Sequence, residues 1–253
     1  MAVEEIKPYG QQGSKHEQVE AMFDNIAPTY DYLNHVLSLG IDKWWRRSAI
    51  KKIKALTSLT ANRLPLTVLD IATGTGDLAI KAFKELQPHE VVGCDISDEM
   101  MRIGRQKVEK LGLADHIRFV HEDCEQLSFA DGQFDVVMSA FALRNFEHLD
   151  LCLQEMHRVL RSDGCVVIID LCAPRRFPMR QVFALYQRII MPVVGKLMSK
   201  DKSAYTYLPN TMAAVKQGEE MAAQFREAGF QDIGFEYLAF GMCCMYWGKR
   251  IEN

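Results

Sequence analysis

A glycine- and threonine-rich segment at residues 68–78 joins an apolar run to the start of a helical pattern. It reads Val-Leu-Asp-Ile-Ala-Thr-Gly-Thr-Gly-Asp-Leu, so Gly74 and Gly76 fall in the turn between the two elements. Glycine lets the main chain adopt positive φ and approach a ligand closely, which a Cβ would prevent. The first N–H groups of the following helix point into the same space. The segment predicts a small-molecule site, with a tight turn that holds no ligand as the alternative.

Acidic residues follow three successive apolar runs. Asp70 is the last residue but one of the first run, Asp95 directly follows the second, and Asp123 comes just after the third, beside Cys124. Because the carboxyl ends of parallel strands meet at one edge of a sheet, we expect these carboxylates to surround the same crevice.

Two cofactors compete for this crevice. The stretch from Gly74 to Ala79 also fits the dinucleotide fingerprint G-x-G-x-x-G/A, and Asp95 suits the ribose of either cofactor. However, Asp70 and Asp77 place negative charge where a dinucleotide fold binds its phosphates, and no basic residue is evident for them. Carboxylates instead suit a ligand with an ammonium, a sulfonium and a ribose diol. The pattern therefore favours S-adenosylmethionine over NAD.

Short apolar runs alternate with helical patterns from residue 66 onward, which predicts βαβ units. We expect an α/β, Rossmann-like class I methyltransferase fold, with a mostly parallel seven-stranded sheet and helices on both faces. Residues 1–60 form an N-terminal helical cap in which Pro28 restarts the chain. Residues 61–253 form the cofactor-binding domain, with a helical lid inserted at about 172–216, and the whole is one structural domain. The predicted strands are Leu66–Ile71, Val91–Cys94, Ile117–Val120, Phe134–Met138, Cys165–Ile169, Ile233–Leu238 and Met242–Trp247.

The composition limits the class of protein. A formal net charge of -3 does not favour nucleic acid as a partner. The seven cysteines show neither a CxxC pair nor ligand spacing with histidine, so reduced thiols are expected and no metal site is predicted. The first 20 residues are polar and do not resemble a secretory signal, which indicates a cytoplasmic protein.

Several motifs resemble one family closely: the class I C-methyltransferases of ubiquinone and menaquinone biosynthesis. The resemblance covers nearly the whole chain. Its most specific parts are Tyr30-Asp31, Leu143-Arg144-Asn145 and Tyr205-x-Tyr207-Leu208, whereas the glycine loop marks only the wider superfamily. The resemblance implies that the cofactor contacts Thr75 and its flanking glycines, Asp95, Asp123 and Cys124. A serine frequent in the family is replaced by Ala140 here, so one hydroxyl contact is lost.

The resemblance implies C-methylation of a polyprenyl quinol ring, with demethylmenaquinol as the preferred substrate. The alternatives are 2-polyprenyl-6-methoxy-1,4-benzoquinol in ubiquinone biosynthesis, another small molecule, and a non-catalytic subunit of a quinone-biosynthesis assembly. A quinone ring is electron-poor, so the reduced quinol must be the nucleophile. We expect Arg144 to stabilise its phenolate and Asn145 to orient it, while Tyr30 or Asp31 takes part in proton removal. The structural alternatives are that Arg144 caps a helix or pairs with Glu147, and that Tyr30 is a packing residue.

Residues 175–207 interleave arginines and lysines with large apolar side chains. Such a basic amphipathic stretch suits both the entrance for a polyprenyl tail and a peripheral contact with the inner face of the membrane. A lid helix with solvated arginines explains the same pattern. The sequence leaves open whether the chain forms a homodimer.

Overall fold

The computed structural model describes residues 3–10, 12–57, 65–198 and 203–251. Two helices come first, α1 (Lys15–Leu37) and α2 (Asp42–Thr57). The chain then alternates through β1 (Thr67–Ile71), α3 (Asp77–Leu86), β2 (Glu90–Asp95), α4 (Asp98–Lys110), β3 (Ile117–His121), β4 (Phe134–Ala140), α5 (Leu149–Val159) and β5 (Leu160–Leu171). It ends with α6 (Met179–Met198), α7 (Ser203–Ala214), α8 (Glu219–Glu227), β6 (Gln231–Leu238) and β7 (Cys243–Lys249).

The seven strands form one sheet in the order β3-β2-β1-β4-β5-β7-β6. Strands β1 to β5 are parallel to one another, whereas β7 runs antiparallel to both β5 and β6. One apolar cluster packs α5 and α8 against the sheet, and a second packs α2, α3 and α4 against it. The predicted α/β architecture, with helices on both faces, is confirmed.

Helix α1 differs from its prediction at Pro28. The helix is continuous from Lys15 to Leu37, so Pro28 does not restart the chain. A proline inside a helix removes one main-chain donor. Met22, Ile26 and Leu33 are buried on both sides of Pro28, and we attribute the unbroken helix to this packing.

Helices α1, α2, α6 and α7 lie over the carboxyl ends of the strands, where the two main cavities open between these elements. The helices therefore form the roof of the site that the sequence predicts. In the part of the chain that the structure describes, no helix is both long enough and apolar enough to span a bilayer.

Candidate active site

The first cavity lies at the carboxyl edge of β1, β2 and β4 and encloses about 750 Å³, counted to its open mouth. The predicted residues Gly74, Asp95, Asp123 and Cys124 line it from the sheet side. Helix α1 closes it from above with a set of mostly apolar residues, His16, Val19, Phe23 and Tyr30. Among the described residues, no lysine or arginine lines this cavity.

Asp95 connects the second strand to the glycine loop. Its Oδ2 accepts a hydrogen bond from the main-chain N–H of Gly74 at 2.7 Å, and its Oδ1 accepts from that of Ser97 at 2.9 Å. A carboxylate offers about four acceptor positions, so Asp95 can also accept from a ligand. Burial raises the pKa of Asp95 above its ordinary value, and these main-chain hydrogen bonds oppose that rise.

The two glycines of the loop have different roles. Both have positive φ, 55° at Gly74 and 78° at Gly76. A Cβ at Gly74 would meet nothing within 4 Å, whereas one at Gly76 would lie 2.7 Å from the ring of Phe119. Only Gly74 lines the cavity; Gly76 allows α3 to pack closely on β3.

Four predicted site residues line neither cavity: Asp31, Asp70, Thr75 and Gly76. Asp70 is 1% exposed and accepts a hydrogen bond from the Thr73 hydroxyl at 2.7 Å. The Thr75 hydroxyl donates to Asp31 at 2.6 Å and so ties the loop to α1. The contacts of Asp31, Asp70 and Thr75 therefore fix the shape of the glycine loop without facing either cavity.

Basic residues also stand behind the glycine loop. Lys107 pairs with Asp31 at 2.6 Å and with Asp77 at 2.7 Å, and Arg46 lies 3.7 Å from Asp77. The expectation that no basic residue is present in this region is therefore wrong for the back of the loop. The charge of Asp77 is compensated, because helices α2 and α4 bring in side chains that are remote in sequence.

The second cavity is larger, about 1530 Å³ to its mouth, and mostly apolar. It lies between α1, α2, α6 and α7. Phe23, Tyr30, Phe141 and Asn145 line both cavities. The two spaces therefore meet, and these four side chains form the junction.

Phe141 sits at the junction in a strained conformation, with φ of 67°. Positive φ is uncommon for a residue with a bulky side chain and tends to occur at functional sites. Its main-chain N–H donates to Ile169 at 2.7 Å, and its carbonyl oxygen accepts from Arg144 Nη1 at 2.5 Å and from Asn145 Nδ2 at 3.3 Å. The turn is thus held by the two predicted catalytic residues that follow it.

Arg144 pairs with Asp170 at the end of β5, and both side chains are buried. Asp170 also accepts a hydrogen bond from the main-chain N–H of Arg144 at 2.9 Å. The alternative of pairing with Glu147 is wrong, because Glu147 accepts from the main-chain N–H of His16 at 2.8 Å. The guanidinium is held rigidly on the wall of the second cavity.

Four buried polar atoms on the walls of the second cavity have no hydrogen-bond partner within the described part of the chain. They are Trp45 Nε1, Arg144 Nε, Asn145 Oδ1 and the Tyr207 hydroxyl. Buried polar atoms are nearly always paired, so a group of unpaired ones in a cavity indicates a ligand. An apolar cavity with a few polar groups is typical of a site for a small organic molecule.

Sequence reasoning missed several residues of this site. Asp170 follows an apolar run, as Asp95 does, and that pattern could have identified it. Lys15 and Trp45 come from α1 and α2, remote in sequence from the turn at Arg144, and no local pattern marks them as site residues. Tyr207 belongs to the Tyr205-x-Tyr207-Leu208 motif, but that motif alone gives it no role. Lys15 is fully buried and donates to the main-chain oxygens of Val3, Arg144 and Phe146.

Comparison with known proteins agrees with this geometry. The model of the ubiE/COQ5 methyltransferase family matches residues 11–250. A demethylmenaquinone methyltransferase of Bacteroides fragilis is 53% identical over 98% of both chains, and one of Porphyromonas gingivalis is 44% identical over 98% of both. Phosphoethanolamine N-methyltransferase 2 of Haemonchus contortus, solved with S-adenosyl-L-methionine, is similar in fold, with a TM-score of 0.57 and 16% identity over 80% of this chain and 52% of that one.

Proposed function

The chain belongs to the ubiE/COQ5 methyltransferase family, and we propose that it methylates a ring carbon of demethylmenaquinol, with S-adenosylmethionine as donor, in menaquinone biosynthesis. The observation that carries this proposal is the junction between the two cavities. One cavity is edged by carboxylates, the other is apolar with four unpaired polar atoms, and they share Phe23, Tyr30, Phe141 and Asn145. A donor and an acceptor bound in the two spaces would meet there.

The first cavity suits the methyl donor. Asp95 keeps free acceptor positions for ribose hydroxyls, and Asp123, with Cys124 beside it, is placed to accept from an adenine amino group. A Cβ at Gly74 would project into open space, so the main chain there allows close approach of a ligand. In this proposal Asp70, Thr75 and Gly76 act indirectly, by fixing the loop that Gly74 belongs to.

The second cavity suits a hydrophobic ring with polar substituents. Its walls are apolar side chains of α1, α6 and α7, which match a fused aromatic ring and the first part of a polyprenyl tail. The unpaired donors and the Asn145 acceptor match the hydroxyl groups of a quinol.

When bound, S-adenosylmethionine supplies an electrophilic methyl carbon on a sulfonium. Methyl transfer to the quinol ring carbon would release S-adenosylhomocysteine, and the same ring carbon would then pass its proton to water. The chain contributes mainly alignment, because the junction brings the two reactants into contact. Arg144 presents its free Nε–H to the oxygen next to the reacting carbon and stabilises negative charge there. Asn145 orients that oxygen, and Tyr30 covers both reactants.

Asp31 is a poor candidate for the base in this mechanism. Its carboxylate engages Thr75 and Lys107 and lines neither cavity. Burial raises the pKa of Tyr30, so its hydroxyl stays protonated at neutral pH and acts as a hydrogen-bond donor. We therefore assign Asp31 to holding the loop and Tyr30 to positioning.

The rim of the second cavity suits a membrane surface that contains the lipid substrate. Leu39 is 83% exposed and Phe177 is 81% exposed, and Leu185 and Ile189 are exposed on α6. Arginines 176, 180 and 188 are also exposed along this segment. Apolar side chains together with cations favour the interface of an anionic bilayer. Lys196, Lys200 and Lys202 of the predicted basic stretch lie outside the described side chains.

Product analysis tests the proposed reaction. Purified protein is incubated with reduced short-chain demethylmenaquinone and methyl-labelled S-adenosylmethionine, and the lipid products are analysed by mass spectrometry. We expect one labelled methyl group on the ring, and none when the quinone is left oxidised. A labelled product from both redox forms, or from neither, would contradict the proposal.

Vesicle sedimentation tests the membrane contact separately. We expect the protein to sediment with phosphatidylglycerol vesicles but not with phosphatidylcholine vesicles, and Leu185→Glu to weaken that binding. Leu111→Glu changes an exposed leucine just after α4, outside the rim, and serves as the matched control. Equal binding by both variants would show that the rim of the second cavity does not contact the membrane.

A further inference from the structure

We propose that Tyr207 is an acceptor-binding residue, whose hydroxyl donates a hydrogen bond to the ring oxygen remote from the reacting carbon. The inference rests on the proposed function and adds a residue that determines specificity for a diol over a phenol. Its basis is the surroundings of the Tyr207 side chain on α7.

The ring of Tyr207 is fixed in an apolar environment. The residue is 4% exposed and packs in a cluster with Val19, Met22 and Ile26 of α1. Tyr207 nevertheless lines the second cavity, and its hydroxyl is buried with no hydrogen-bond partner. A buried hydroxyl without a partner is costly, so its retention here indicates a partner that arrives with the ligand.

A second tyrosine in the same cavity shows the contrast. Tyr186 of α6 also lines the cavity, but its hydroxyl donates to the main-chain oxygen of Leu37 at 2.7 Å. The two tyrosines thus share a cavity and differ in whether the protein itself satisfies the hydroxyl. Of these two hydroxyls, that of Tyr207 is the one available to a ligand.

The protonation state of Tyr207 makes it a donor. Burial raises the pKa of this phenol well above its ordinary value, and the nearby Arg144 only partly opposes that rise. The hydroxyl is therefore protonated at neutral pH and does not act as a base.

The position of Tyr207 selects the remote oxygen. Asn145 lines both cavities and marks the end of the acceptor site where the methyl group arrives. Tyr207, like Arg144, lines only the second cavity, but it belongs to α7 and not to the turn that carries Arg144 and Asn145. The two oxygens of a 1,4-quinol lie on opposite sides of the ring, so donors on two separate elements match them.

The proposal is tested by comparing two substrates, each with the wild-type protein and with a variant at Tyr207. The substrates are the short-chain naphthoquinol and a 1-naphthol that keeps the hydroxyl beside the reacting carbon and lacks the opposite one. We expect Tyr207→Phe to lower kcat/KM for the diol by about 5- to 50-fold and to leave that for the naphthol within about twofold, since the lost hydrogen bond exists only with the diol. The affinity for S-adenosylhomocysteine should not change.

Tyr186→Phe is the matched control, because it also removes one hydroxyl from this cavity. We expect it to affect the diol and the naphthol by the same factor. An equal effect of Tyr207→Phe on both substrates, or no effect on either, would overturn the assignment. Failure of the proposed function is distinguishable, since the wild-type protein would then methylate neither compound.

Discussion

The ammonium group of Lys15 donates a hydrogen bond to the main-chain oxygen of Arg144, with 3.0 Å between nitrogen and oxygen. The same group donates to Phe146 at 3.1 Å and to Val3 at 2.9 Å. A fully buried lysine at the start of α1 therefore holds the turn that carries Arg144 and Asn145. The helix that roofs the first cavity and the turn that lines the second cavity are fixed by one side chain.

Lys15→Met should loosen this turn while α1 keeps its place through its apolar face. We expect kcat to fall by about 10- to 100-fold, because small displacements of a catalytic group are costly, with little change in the affinity for S-adenosylhomocysteine. Steady-state kinetics and calorimetry measure both quantities. Lys7→Met is the control, since Lys7 makes one exposed hydrogen bond, to Gly13. Equal kcat for the two variants would mean that Lys15 does not position the turn.

Arg144→Lys keeps a positive charge beside Asp170 but removes the unpaired Nε–H from the cavity. We expect kcat to fall by about 100-fold or more, as for other removed donors that stabilise developing negative charge. Thermal unfolding should stay near that of the wild type, because Asp170 keeps a cationic partner. A variant with nearly normal kcat would show that Arg144 is structural.

Asp31→Asn separates the two roles that the sequence suggested for Asp31. Because its carboxylate ties Thr75 and Lys107 together, we expect weaker binding of S-adenosylhomocysteine, by about 5- to 10-fold, and an unchanged pH profile of kcat. If Asp31 were the general base, Asp31→Asn would instead lower kcat by about 100-fold or more and would remove one limb of the pH profile. Loss of that limb in the variant would show that Asp31 takes part in proton removal.

Gly74→Ala and Gly76→Ala form a matched pair in one loop. Both substitutions strain a residue with positive φ, which costs about 1–2 kcal/mol. Gly76→Ala also pushes against Phe119 and should lower the free energy of unfolding further, whereas Gly74→Ala should mainly weaken cofactor binding. Chemical denaturation and calorimetry distinguish the two effects. The reverse pattern would place Gly76, not Gly74, at the ligand.

Asp70 gives a pH dependence of stability with a defined sign. Burial raises the pKa of Asp70 from 3.8 to about 7, so the folded state binds the proton more tightly than the unfolded state does. Its contribution is complete below pH 4 and is lost as the pH rises to 7, by roughly 4 kcal/mol at most. We expect urea denaturation to show that the free energy of unfolding of the wild type, relative to that of Asp70→Asn, falls between pH 4 and pH 7. A constant difference would mean that Asp70 is ionised throughout.

The sequence predicted most of the fold because its strands are continuous apolar runs and its acidic residues follow them directly. Asp95 and Asp123 line the first cavity, at the carboxyl edge of the sheet where parallel strands were expected to bring them. The direction of a side chain within a loop is not a local property. Asp70 accepts from Thr73, only three residues on, whereas Thr75 donates to Asp31, a partner that no spacing rule identifies.

The roof of the site was the least predictable part. Tyr207 and Lys15 acquire their roles only when α1 and α7 pack over the sheet, and a lysine in a polar segment carries no sign that it will be buried. The prediction that Pro28 restarts the chain was wrong for a related reason, because tertiary packing outweighs the local preference of proline to end a helix.

We expect the methyl donor and the quinol to meet at Phe23, Tyr30, Phe141 and Asn145. A crystal structure of the protein with S-adenosylhomocysteine and short-chain demethylmenaquinone tests it most directly. We predict the donor sulfur in the cavity lined by Asp95, and the ring carbon within about 5 Å of it beside Asn145, close enough for a methyl group to pass between them. A quinone ring bound elsewhere, or the two ligands separated by the side chain of Phe141, would contradict the account.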